Sequence, residues 1–187
     1  DKTLLNEAKL FSEWYAPTKI NKFQIRKFKK GYQNEVKKLL SKLNLKNDTF
    51  VHRDFHVSNL MYVKNNIAVI DSQDALIGNK AYDLASLVDD VRFKTSNKLK
   101  NKILNNYFKK LTKTEIKEFI NDFEILSVLR NLKIIGIFMR LALRDNKKKY
   151  AKMIPYAWEM INYRMRKNRE FNSLKLILKH NFPKFVK

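Results

Sequence analysis

The sequence comprises 187 residues, of which 44% are apolar, 31% are charged and 12% are aromatic. This composition supplies enough apolar residues for a packed core and too many for a disordered chain. There is no Cys, and Gly and Pro number only three each. Disulfides, thiolate metal sites and a Cys nucleophile are therefore excluded, and a β-rich fold with many turns is disfavoured.

The apolar runs are short, as at Ile134–Met139. They fall far below the roughly 18 residues that a membrane-spanning helix requires. No signal peptide is apparent at the start of the sequence. We therefore expect a cytoplasmic protein without a membrane partner.

The net charge of +22 arises from 40 Lys and Arg against 18 Asp and Glu. One interpretation is an anionic partner such as a nucleic acid or a nucleotide. The other is coding bias, because Lys outnumbers Arg 31 to 9 and Asn occurs 20 times. Arg is the better ligand for phosphates and base edges, so its scarcity favours coding bias. We expect no specific nucleic-acid partner.

The first fifty residues are predicted to be helical. Apolar residues recur at helical spacing over Thr3–Tyr15, where Pro17 ends the pattern. The basic segment Thr18–Leu45 follows, and we predict one or two helices there, broken near Gly31. A short apolar pair, Phe50-Val51, then leads into a polar loop.

The middle of the chain holds the only predicted β-structure. Two four-residue apolar runs, Leu60–Val63 and Ile67–Ile70, flank a turn at Lys64-Asn65-Asn66 and predict a hairpin. A loop with Gly78 follows, and the rest of the chain is predicted to be helical. The predicted helices cover Ala81–Val91, Ser96–Leu111, a segment capped at Thr114 near Glu115 and running to about Leu143, Pro155–Asn168 and Ser173–Lys179.

The polar residues of chemical interest surround this hairpin. Residues 52–59 read HRDFHVSN, and Asp71 follows the second predicted strand. The spacing fits the phosphoryl-transfer template H-R-D-x-x-x-x-N followed by a metal-binding Asp. An Asp orients and deprotonates an acceptor hydroxyl, whereas Mg²⁺ prefers oxygen ligands such as those of Asn and Asp. The hairpin returns the chain, so Asp71 is expected beside Asn59.

Each residue alone has a simpler explanation as a turn or capping residue, but the joint spacing favours a site. We assign Asp54 as the base and Asn59 and Asp71 as the Mg²⁺ ligands. His56 lies between base and ligand and supports either, so we place it with Asp54 in the catalytic set. His52 is interpreted as a structural residue that holds the loop.

These residues resemble the aminoglycoside phosphotransferase and choline kinase superfamily, which is related to protein kinases. The absence of Asp-Phe-Gly after Ile70 and of Ala-Pro-Glu disfavours a protein kinase. The resemblance implies a mostly α, α+β fold, namely the C-terminal lobe of a protein-kinase-like fold with a small hairpin beside the catalytic loop. The matching residues are His52, Asp54, His56 and Asn59, then Ile70-Asp71 and Tyr82-Asp83-Leu84.

A narrower resemblance is to bacterial kinases that phosphorylate N-acetylmuramate and N-acetylglucosamine at the anomeric position. It implies ATP and Mg²⁺, an amino-sugar substrate, and support of the catalytic loop by Arg53 and Asp83. Gln73, Asp74 and Arg140 are candidate substrate contacts. Ser72 departs from the Phe that is frequent in these relatives, which weakens the packing behind Asp71. The segments that carry it are residues 10–15, 51–61, 69–75, 82–87 and 132–145.

Such a kinase also needs a nucleotide lobe with a Gly-rich loop and a phosphate-binding Lys. The three glycines, Gly31, Gly78 and Gly136, are too far apart to form that loop. We therefore expect residues 1–187 to be a single domain, the C-terminal catalytic lobe, with the N-terminal nucleotide lobe missing as its partner.

Other functions remain open at this point. Arg140 and Arg144 share a helix face and bind an anion or, more simply, form ion pairs. Two interpretations are open for the aromatic residues Trp14, Tyr156 and Trp158, namely stacking on a sugar and packing in the core. An aminoglycoside, choline or homoserine would be alternative acceptors, and the first two would need acidic residues in the cleft. Candidates for such residues are Asp89, Asp90, Asp122 and Glu124. A non-catalytic basic helical module and a pseudoenzyme fragment are the remaining alternatives.

Overall fold

The structure is a computed structural model that describes residues 2–166 and 168–186. The chain divides into two compact units, one built from residues up to Lys42 and from Val128 onward, the other from Leu43–Ser127. The predicted helix Pro155–Asn168 includes Lys167, which lies outside the described residues.

The described residues are mostly helical with few strands. Shorter helical turns occur at Phe11–Tyr15 (π-type) and at Ala16–Thr18, Val57–Asn59, Lys148–Met153 and Arg169–Phe171 (3₁₀-type). The α-helices are α1 (Lys2–Leu10), α2 (Ile25–Leu40), α3 (Ala81–Val88), α4 (Asn97–Phe108), α5 (Lys113–Leu143), α6 (Ile154–Met165) and α7 (Asn172–Asn181).

An aromatic cluster forms the core of the first unit. The Phe11 ring lies 5.4 Å from the rings of Tyr15, Tyr32 and Phe182, and 5.7 Å from the Trp158 ring. The Trp158 indole donates a hydrogen bond to the Tyr15 hydroxyl at 3.3 Å, and burial raises the pKa of Tyr15. Trp158 is thus a core residue, which confirms the packing interpretation over sugar stacking.

The predicted helix break near Gly31 is wrong. The single helix α2 runs through Gly31, and its buried residues Phe28, Tyr32 and Val36 recur every four positions. Glycine inside a helix costs only about 1 kcal/mol relative to Ala. Burial of an apolar stripe against the aromatic cluster outweighs that cost, so glycine does not end the helix.

Two antiparallel strand pairs shape the second unit. Strands β2 (Leu60–Val63) and β3 (Asn66–Val69) form a hairpin. Strands β1 (Asn47–Val51) and β4 (Leu76–Asn79) also pair, with Val51 opposite Leu76. The sequence-based prediction omitted this second pair, because its two short strands are distant in sequence and no hairpin turn joins them. Together the pairs bring both ends of the 52–75 segment close to each other.

Buried carboxylates hold the second unit together. The Asp122 carboxylate accepts hydrogen bonds from the amides of Asn44 and Leu45 and from the Asn79 side chain, at 2.6–2.9 Å. The Asp89 carboxylate pairs with the Lys100 ammonium at 2.7 Å and accepts from the Ser127 hydroxyl at 2.5 Å. Asp90 is likewise buried. Asp89 and Asp122 are therefore committed to internal contacts.

Helix α5 begins with a capping box. The Thr112 amide donates to the Glu115 carboxylate at 2.8 Å, and the Glu115 amide donates back to the Thr112 hydroxyl. The hydrogen bonds from Thr112 lower the pKa of the Glu115 carboxyl. The predicted cap at Thr114 is wrong by two residues, because the reciprocal bond to Glu115 requires a hydroxyl three positions earlier.

Across the part of the chain that the structure covers, each helix is too short or too polar to cross a membrane.

Two glycines on helices provide a matched test of packing in the first unit. A Cβ at Gly136 would lie 2.3–2.6 Å from the backbone of Leu10 and Phe11, whereas a Cβ at Gly31 would meet only Ile177 at 3.6 Å. We expect Gly136→Ala to lower the free energy of unfolding by about 3 kcal/mol or more, because the helix backbone must shift. Gly31→Ala should be neutral or stabilising by up to about 1 kcal/mol. Urea unfolding measures both, and equal effects would contradict the packing.

Candidate functional site

The loop that follows β1 is held by one carboxylate. Asp83, in the first turn of α3, accepts hydrogen bonds from the amides of His52 and Arg53 at 2.6 and 3.0 Å. Arg53 has a φ of 71°, a left-handed backbone conformation that residues other than glycine rarely adopt. Its guanidinium donates to the Asp74 carbonyl at 3.0 Å. Arg53 and Asp83 therefore fix the start of the loop.

His52 links the loop to the end of the hairpin. Its ring is buried, and Nε2 lies 3.0 Å from the carbonyl oxygen of Ile70, the residue before Asp71. The Phe55 ring packs edge-on against it, with centroids 6.1 Å apart. This contact ties the two halves of the predicted site together across 18 residues of sequence.

The Asp54 carboxylate is half-buried, and within residues 2–166 and 168–186 no hydrogen-bond donor contacts it. Its backbone carbonyl is fully used, because it accepts from the His56 amide and from the Asn59 side chain, both at 3.0 Å. The side chain of Asp54 is thereby held on a rigid turn while its oxygens stay available. His56 is buried on the same turn.

Asn59 and Asp71 are brought close through the backbone. The Ile70 amide donates to the Asn59 carbonyl at 3.1 Å, so Asp71 follows directly after the residue that pairs with Asn59. Asn59 uses its Nδ2 on the loop and keeps Oδ1 available. Asp71, at a φ of 71°, accepts from Gln73 through Oδ1 at 2.6 Å and keeps Oδ2.

This donor set fits Mg²⁺. One amide oxygen and one carboxylate oxygen are hard ligands, and protein Mg²⁺ sites often have only one or two carboxylates, with phosphates and waters completing the coordination. The described residues contain no group of three or more His, Cys, Asp or Glu arranged to hold a metal ion by themselves.

The remaining candidates differ in their surroundings. Gln73 and Asp74 are exposed, and both contact site residues, Gln73 through its amide and Asp74 through its carbonyl. Arg140 belongs to the other compact unit. Arg144 lies in the turn directly after α5, so the predicted shared helix face with Arg140 is wrong. The Arg144 guanidinium forms two hydrogen bonds to Asp145 at 2.7 and 3.0 Å, which confirms the ion-pair interpretation for Arg144.

A cavity of about 310 Å³ adjoins the loop. Its volume is at the lower end of the range for small-molecule sites. Ser72 lines it, at the position where a larger apolar side chain was expected from the resemblance. Its other lining residues are Phe50, His52, Phe55, Val69 and Asp83.

The hairpin exposes an apolar surface on both faces. Five of its large apolar side chains are 45–73% exposed, and large contiguous exposed apolar patches mark interaction sites. The exposed side chains are Met61, Tyr62, Val63, Ile67 and Val69, with Phe50 and Ile77 exposed on the neighbouring strand pair.

The model of the phosphotransferase enzyme family matches residues 2–119, and the chain belongs to this family. The segment that carries the loop, the hairpin and Asp83 lies wholly inside the matched range.

Several relatives share one name, N-acetylmuramate/N-acetylglucosamine kinase. The chain is 35% identical to that of Neisseria meningitidis over 178 residues, covering 92% of this chain and 52% of the relative. It is 38% identical to the kinase of Pseudomonas aeruginosa over 112 residues, which cover 57% of this chain and 33% of the relative. It is 32% identical to the kinase of Caulobacter vibrioides over 114 residues, which cover 58% of this chain and 31% of the relative. The chain thus spans at most about half the length of these relatives.

The Asp83 anchor generates a stability prediction. Asp83→Ala leaves the amides of His52 and Arg53 without their acceptor, and an unsatisfied buried donor costs about 1–3 kcal/mol. We expect the free energy of unfolding to fall by about 2 kcal/mol and hydrogen exchange at these two amides to accelerate. Asp83→Asn keeps one acceptor oxygen, so its free energy of unfolding should fall by less than that of Asp83→Ala.

Asp74→Ala is the matched control, since it keeps the carbonyl that Arg53 contacts. Unchanged exchange at residues 52 and 53 in Asp83→Ala would show that Asp83 does not hold the loop.

Proposed function

We propose that this chain is the C-terminal catalytic lobe of an ATP-dependent kinase that phosphorylates an amino sugar. The proposed acceptors are N-acetylmuramate and N-acetylglucosamine, at the anomeric hydroxyl. The observation that carries the proposal is the loop geometry. An available Asp54 carboxylate lies on a rigid turn whose other end, at Asn59, adjoins Asp71.

In this proposal Asp54 accepts the proton of the sugar hydroxyl while the hydroxyl oxygen attacks the γ-phosphorus of ATP. The bond to the bridging oxygen breaks, ADP leaves, and the proton stays on Asp54 until it passes to solvent. Asn59 Oδ1 and Asp71 Oδ2 would hold Mg²⁺, which when bound neutralises phosphate charge. Gln73 orients the Asp71 carboxylate, and His56 supports the turn between base and ligand.

The amino-sugar acceptor is supported by the shared name of the relatives and by the fate of the acidic residues. A cationic acceptor would need free carboxylates in the cleft. Asp89 and Asp122 are instead committed to Lys100 and to backbone amides. Nothing about these residues favours choline or an aminoglycoside. Gln73 and Asp74, which lie in the same unit as the loop, remain the proposed sugar contacts.

A second lobe that binds the nucleotide completes the proposal. Phosphate binding in kinases of this type uses a Gly-rich loop and a Lys that come from another lobe. The exposed apolar hairpin is the surface we assign to that lobe, because covering it would remove several large apolar side chains from water. The half of the meningococcal relative that this chain does not span is long enough to supply such a lobe.

The test of this function is Asp54→Asn in the full-length protein, assayed with γ-labelled ATP, Mg²⁺ and each amino sugar. Removal of a general base lowers turnover by about 10²–10⁴-fold, so we expect labelling of the sugar to fall by at least about a hundredfold. The sugar affinity and the unfolding midpoint should stay unchanged.

Asp48→Asn is the control, because Asp48 is an exposed carboxylate on β1, outside the loop. Labelling of no amino sugar by the wild type would overturn the acceptor assignment. Equal labelling by wild type and Asp54→Asn would overturn the assignment of the base.

A further inference from the structure

A groove lies between α2 and α7 in the first unit, away from every residue of the proposed site in sequence. Its volume is about 500 Å³, which is within the usual range for small-molecule sites. Phe28 and Gly31 form one wall, and Leu176 and Ile177 form the other. Phe28 is part of the buried aromatic cluster, with its ring 5.5 Å from that of Phe182. The floor is therefore apolar.

The rim of the groove carries one cationic side chain, Lys27, with the His180 imidazole also lining it. The described residues offer Lys27 no ion-pair partner. Residues 16–34 contain six Lys or Arg and no Asp or Glu. Residues 171–186 contain three Lys and no Asp or Glu. Residues of both segments line the groove. The acidic residues that flank the two segments, Glu35 and Glu170, pair with Lys38 and Lys42 outside the groove lining.

Two further features favour an occupant with an apolar body. Leu176 is 70% exposed at the edge of the groove, where an apolar side chain gains nothing from water. Gly31 stands inside a helix, where Ala would be about 1 kcal/mol better, and a Cβ there would make only an ordinary contact with Ile177. A larger side chain at position 31 would fill the groove, so glycine keeps it open.

We propose that this groove binds a single-chain amphipathic anion, an alkyl chain that ends in a carboxylate. The alkyl chain lies along Gly31, Leu176 and Ile177, and the carboxylate forms an ion pair with Lys27 and accepts a hydrogen bond from the His180 imidazole. The concave shape favours a single chain over a bilayer, which would contact a convex surface with protruding apolar side chains. The charge excludes a cationic amphiphile.

The test measures binding of decanoate to the full-length protein by isothermal titration calorimetry, below the concentration at which micelles form. Decyltrimethylammonium, with the same chain and the opposite charge, is the ligand control. Gly31→Met should weaken decanoate binding at least about tenfold by filling the groove, whereas Gly31→Ala should change it less than about twofold. Lys27→Glu should weaken it by several-fold, and Lys30→Glu, an exposed change on the same helix, should not.

Saturable binding of one decanoate with this variant pattern supports the groove. Equal binding of both amphiphiles, or wild-type binding by a folded Gly31→Met variant, overturns it. Association with anionic vesicles alone, weakened equally by Lys27→Glu and Lys30→Glu, would identify a membrane-facing basic surface and would also overturn it. Circular dichroism and the unfolding midpoint verify that each variant is folded.

Discussion

The capture of two consecutive backbone amides by the Asp83 carboxylate is the constraint on which the candidate site depends. A left-handed residue with a side chain costs about 1–2 kcal/mol, and Arg53 adopts that conformation beside this anchor. Asp54 follows directly after Arg53, and its backbone carbonyl accepts hydrogen bonds from the His56 amide and the Asn59 side chain. Without the hydrogen bonds from Asp83, we expect Arg53 to leave the left-handed conformation, and the distance between Asp54 and Asn59 would no longer be fixed.

The carboxylates of this strongly basic chain fall into two groups, which differ in whether their oxygens are already hydrogen-bonded. Asp83, Asp89 and Asp122 are bound to backbone amides or to a buried Lys, and they build the second unit. Asp54 and Asp71 keep oxygens available, which is a condition for proton transfer and metal binding. The contrast between committed and available carboxylates separates structural from chemical residues better than net charge does.

The helices, the loop and the hairpin could be predicted from the sequence, because each depends on residues that are close together in the chain. Helical periodicity located the helices, and the spacing of Asp54, Asn59 and Asp71 marked the loop and hairpin, because their relation depends on a few intervening residues. The β1–β4 pair and the bonds of Asp122 were missed, since they join distant segments. Gly31 was misread because core packing, which single residues do not reveal, overrides a weak helix propensity.

The central claim is that Asn59 and Asp71 hold one divalent cation next to Asp54. Its most direct test is the paramagnetic broadening of NMR signals by Mn²⁺ in the full-length protein with ATP. The account predicts that the Asn59 side-chain amide and the Asp71 backbone amide broaden first, and that Asp71→Asn weakens the effect. Broadening centred elsewhere, or unchanged by Asp71→Asn, would contradict it.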